Sequence, residues 1–150
     1  MLIDGLVNSG EIPALEATAQ FAARRHTLIA HNIANISTPR FQPRDVSPAA
    51  FQEQLGEAID ERRGRRRGGG GALELGSSRE VIWERRPDGS GRIRLNPQTS
   101  GNNILFHDRN DRDLERMMQG LAENTAAFST ATQMFKSRFS LLNAAITLRP

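Results

Sequence analysis

The sequence predicts a mainly α-helical protein in which long N- and C-terminal helices form a coiled-coil-like bundle. A short middle helix, a small β-hairpin and a flexible Arg/Gly-rich loop lie between them. Three observations carry this expectation. An apolar stripe at helical spacing runs from Ile12 to Ile36, a seven-residue repeat runs from Leu114 to Ile146, and a run of arginine and glycine separates the two helical parts. The segments divide at 1–46, 47–60, 61–79, 80–110 and 111–150.

In the first helix, Ile12, Leu15, Ala19, Ala22, His26, Ile29, Ile33 and Ile36 recur in alternating steps of three and four, which puts them on one face. Ser9 is a candidate N-cap, and Pro13 falls in the first turn, where its missing N–H costs least. The helix is expected over about 11–36. Asn35 is expected to close it in the left-handed conformation that asparagine tolerates, and Pro39 forbids a helical Thr38.

The last helix, expected over 111–150, is the more regular. Leu114, Leu121, Phe128, Phe135 and Leu142 recur every seven residues, and Met118, Thr125, Thr132, Phe139 and Ile146 follow each by four. Asp111, Asp113 and Glu115 suit the positive end of the helix dipole. Burying one such stripe does not offset the conformational entropy of ordering so long a helix. It therefore needs a partner surface. The first helix offers small residues at Ala19 and Ala22, against which Phe128 and Phe135 could pack, and further helices from neighbouring subunits are expected to complete the bundle.

The middle holds less. Ser47 and Pro48 open a short helix with Phe51, Leu55 and Ile59 on one face. Val81 and Trp83, then Ile93 and Leu95, alternate around a PDGSG turn and predict a hairpin. Arginine is concentrated here: residues 61–94 carry a net charge of +5 and the remainder −2, giving +3 for the chain of 150 residues. Arg62, Arg63, Arg65, Arg66 and Arg67 precede Gly68 to Gly71, a composition expected of a solvated loop.

Chemistry is hard to place anywhere in this chain. It has no cysteine, so disulfides, thiolate metal sites and a thiol nucleophile are excluded. His26, His31 and His107 are not at metal-ligand spacing, and the DRNDRD stretch at 108–113 has an arginine where a calcium loop needs an oxygen ligand. Gly68 to Gly71 lack the Lys-Ser/Thr that completes a phosphate loop, and no serine stands in a nucleophile elbow. No cofactor, metal, catalytic group or small-molecule substrate is expected. The arginine cluster supports one alternative, a basic nucleic-acid-binding or other helical interaction module, but it lacks interleaved aromatics. The opening ten residues also lack the basic and apolar regions of a cleaved secretory signal.

Asn32, Ile33, Ala34 and Asn35, followed by Thr38, Pro39 and Phe41, resemble the NIANxxTPGY motif of the bacterial flagellar rod and hook family of axial proteins. RDV at 44–46, GNN at 101–103, LAEN at 121–124 and FSLLNAAI at 139–146 resemble its proximal-rod members, and the likeness covers roughly residues 10–60 and 100–148. The resemblance implies a structural subunit of the basal-body rod, in the periplasm. It implies terminal helices that order on assembly into the rod wall and transmit torque for motility, and export by the flagellar type III apparatus without a cleaved signal. The implied partners are rod subunits of the FlgC, FlgF and FlgG type, the rod–ring adapter FliE and the membrane-supramembrane ring. The assembly seam would then comprise Leu15, Ala22 and Ile29 with Leu114, Leu121, Phe128, Phe135, Phe139, Leu142 and Ile146. Arg40 replaces the glycine of the motif, which predicts a type I turn in place of type II. Phe41 keeps the ring of the usual tyrosine without its hydroxyl.

Overall fold

A computed structural model describes residues 11–65, 73–87, 90–99 and 114–147. The first helix, α1, spans Ile12–Ala34 and is about 34 Å long. It has no glycine, and Pro13 stands in its first turn. Glu11 is the N-cap residue and makes no side-chain capping bond; Ser9 lies outside the described residues. At the other end the helix stops at Ala34, two residues short of the expected Ile36. Asn35 closes it in the bridge region (φ −104°, ψ 6°), not in the left-handed one expected. It does so with its side chain, whose Nδ2 donates to the His31 carbonyl at 2.8 Å, so no left-handed residue is needed.

Helix α1 is buried on two sides. The predicted stripe supplies Ile12, Ala22 and Ile29, with Leu15 half-buried, whereas His26 is exposed. A second row contains Ala17 and Phe21, which enter the core of a small α/β base. There Phe21 stacks on Phe51 with ring centroids 4.0 Å apart. Phe51 belongs to α2, Pro48–Arg65, whose first turn is capped by Ser47 Oγ accepting from the Ala50 N–H at 3.2 Å. Helix α2 passes the expected end at residue 60 into the arginine cluster, helped by the Asp60 and Arg63 pair one turn apart at 3.5 Å. The expected loop over 61–79 is corrected at its far end too. Leu73 and Leu75 are each 4% exposed and complete the core, because their period-two spacing sends both to one side. Arg66, Arg67 and Gly68 to Gly71 lie outside the described residues.

The hairpin forms as expected from β2, Val81–Arg85, and β3, Gly91–Leu95, with Trp83 opposite Ile93 and Arg85 opposite Gly91. Its inner face places Val81 and Ile93 in the core. Gln20 of α1 binds the edge of β3 with both ends of its amide: Nε2 donates to the Gly91 carbonyl at 3.1 Å, and the Ile93 N–H donates to Oε1 at 3.2 Å. A side chain thus serves as the neighbouring strand, satisfying two backbone groups that an edge would leave open. An unpredicted second pair joins β1, Arg44–Asp45, to β4, Gln98–Thr99.

The last helix, α3, spans Leu114–Thr147, about 51 Å, and runs antiparallel along α1. Its direction follows from the contacts of Asn124 with Ala22 and of Arg138 with Glu11. The acidic residues at 111 and 113, the DRNDRD stretch and His107 lie outside the described residues.

Candidate assembly surface and the helix-exit motif

The motif residues act by holding backbone. Asn32 is 4% exposed; its Nδ2 donates to the Arg44 carbonyl at 2.6 Å and its Oδ1 accepts from the Arg44 N–H at 3.3 Å. Two turns earlier on the same face, Arg25 is 7% exposed and grips Asp45 through Nε (3.0 Å) and a terminal guanidinium nitrogen (2.6 Å). Asp45 Oδ1 also accepts from the Val46 N–H at 2.8 Å. The spacing of 25, 29 and 32 puts Arg25, Ile29 and Asn32 on one side of α1, and together they fix β1 against it. Removing the carboxylate in Asp45→Ala strands a buried guanidinium and is expected to cost about 2–3 kcal/mol, measured by urea denaturation.

Between helix and strand, the Phe41 N–H donates to the Thr38 carbonyl at 3.2 Å, closing a turn with Pro39 and Arg40 at its centre. Arg40 has φ of 63°, the only positive value outside glycine among the described residues. That is the third position of a type II turn, so the expected type I turn is corrected. The turn keeps the backbone that suits glycine and forces arginine to adopt it, at a cost of about 1–2 kcal/mol. Part of this cost is offset by the greater chain entropy glycine would lose, so Arg40→Gly is expected to stabilise by about 0.5–1 kcal/mol. A thermal midpoint raised by roughly 1–4 °C checks this. Phe41 sets its ring edge-on to His31, centroids 5.9 Å apart.

A cleft of about 530 Å³ opens where α1, β1, β4 and the start of α3 meet. Several of its polar groups are engaged within the chain: Arg25 with Asp45, Asn32 with Arg44, Glu80 with the Ser47 N–H at 2.7 Å, and Gln119 with Glu123 at 2.8 Å. No cluster of three His, Asp or Glu side chains suited to a metal occurs among the described residues.

The seam residues divide. Ala22 and Ile29 are buried and Leu15, Leu121, Phe135 and Leu142 half-buried, while Leu114, Phe128, Phe139 and Ile146 stay 47, 41, 50 and 56% exposed. Helix α3 instead buries Asn124 and Ala131 against α1, residues that follow Leu121 and Phe128 by three positions, not four. The face toward α1 is thus centred on Asn124 and Ala131, with Leu121 and Phe135 at its edge, while Phe139 and Ile146 lie past Arg138, which meets Glu11 at the start of α1. Hydrophobic spacing passes over Asn124, which only the LAEN motif singles out, and over Ala131 because alanine carries little signal.

On the opposite flank Met134 and Leu141 are also exposed. All seven exposed large apolar side chains among the described residues, Leu114, Met118, Phe128, Met134, Phe139, Leu141 and Ile146, lie on α3. No described helix is long and apolar enough to cross a membrane.

An amphipathic helix of this length, half covered by α1 and carried on a small α/β base, defines a helical assembly subunit. No protein-family model matches the chain. It is 32% identical over 112 residues to the flagellar basal body rod protein FlgB of Yersinia enterocolitica, with 72% of each chain covered. The chain belongs to the FlgB family of flagellar basal body rod proteins.

Proposed function

We propose that this protein is a structural subunit of the flagellar proximal rod, joined to its neighbours through the uncovered half of α3. The observation that carries the proposal is the confinement of every large exposed apolar side chain of the described residues to that one helix. Helix α1 covers the Asn124 and Ala131 row; helices of neighbouring subunits cover Leu114, Phe128, Phe139 and Ile146, with Leu15, Leu121, Phe135 and Leu142 at the border between the two contacts. Helices packed lengthwise in this way resist twisting, which is the mechanical demand on a shaft that passes torque. Family membership supports the remaining assignments: export by the flagellar type III apparatus, assembly beside FlgC-, FlgF- and FlgG-type subunits, FliE and the membrane-supramembrane ring, and a role without catalysis.

Complementation of a strain lacking the gene tests this. Swimming and incorporation into isolated basal bodies are expected from the intact chain; their absence, together with salt-dependent retention of nucleic acid that is lost when residues 62–67 are deleted, would favour the nucleic-acid-binding alternative. Family membership does not favour that alternative.

A further inference from the structure

We propose that Asn124 sets the register in which α3 lies along α1. Asn124 is 4% exposed in the middle of the helix pair, and its Nδ2 donates to the Ala22 carbonyl of α1 at 2.8 Å. That carbonyl belongs to a small residue, Ala22, 2% exposed, so no bulky side chain at that position holds the helices apart. A second polar contact, Arg138 with Glu11 at 2.7 Å, joins side chains 50 and 62% exposed, where an ion pair contributes little.

A slide by one heptad moves α3 by ~10.5 Å along α1. Such a slide would bring Leu15 or Ile29 to the place of Ala22. A branched side chain there covers the carbonyl, and the Asn124 amide is buried without an acceptor. The unpaired amide disfavours slid registers by roughly 5- to 150-fold. A single buried asparagine fixing register in paired helices is an established device.

The register is a property of the free chain and holds whether or not the rod reading does. The absence of native cysteine allows nitroxide labels at Ala30→Cys and Ala126→Cys, both exposed helical positions, in the full-length protein. Pulsed electron resonance is expected to give one narrow distance with Asn124. With Asn124→Leu or Asn124→Ala a second distance is expected, displaced as a one-heptad slide requires and holding tens of per cent of the molecules, at unchanged helix content. One unchanged distance in both variants overturns the proposal, and so does loss of α3 helicity in both, which would make Asn124 a general stability residue. Failure of the intact chain to enter basal bodies would count against the rod reading alone.

Discussion

Cells carrying Phe128→Asp together with Phe139→Asp are expected not to swim, while the protein accumulates in soluble, folded form. Both side chains are about half exposed in the single chain, so aspartate there meets water and leaves the contact between α1 and α3 in place. In an assembled rod the same positions are covered, and two carboxylates without partners would be taken out of water. Each such burial costs several kcal/mol, repeated in every subunit of the rod. Incorporation into basal bodies should fall below detection, with the circular dichroism of the purified variant close to that of the parent. Wild-type swimming by this variant would show that the exposed row of α3 is not an assembly contact.

The second large effect is expected in the α/β base. Gly91→Val should lower stability by about 2–4 kcal/mol and detach the hairpin from α1. A Cβ at position 91 would stand 1.7 Å from the Trp83 ring atom Cζ2 and 1.9 Å from Cη2, so the indole now lying over the glycine must leave. Trp83 packs against the core beside Val81 and Ile93, and displacing it exposes roughly the apolar surface of one large side chain. The Gln20 bonds to Gly91 and Ile93 are stretched at the same time. Chemical denaturation followed by Trp83 fluorescence reports both changes, since Trp83 is the only tryptophan of the chain. Gly91→Ala should be milder but of the same sign.

These two regions differ in how far residue order reveals them. The terminal helices are legible because hydrophobic spacing dictates which side chains share a face, and the hairpin because alternation flanks a turn sequence. The rotation of α3 about its axis is not legible. Two rows, three and four residues after Leu121 and Phe128, compete to face α1, and the more apolar row loses. Asn124 wins because α1 presents the carbonyl of a small residue, Ala22, within its reach, a fact about a partner surface that spacing on one helix does not contain.

The Arg62 to Arg67 run hides the continuation of α2 to Arg65, since charge repulsion and helix propensity oppose each other there. Arg25, Asp45 and Gln20 carry no periodic signal. Each matters through a bond to a segment distant in sequence. Arg40 is the reverse case: residue identity argues against a left-handed backbone, and the surrounding turn imposes it.

Asn32 and Arg25 have a consequence for the chain that follows them. Because they hold β1 directly from α1, the placement of that strand does not depend on the path taken by residues 36–43. The intervening turn is then a spacer and not a hinge. It can absorb an unfavourable residue such as Arg40, or a change of length, without moving what it connects, and the two clamps are the parts that cannot vary.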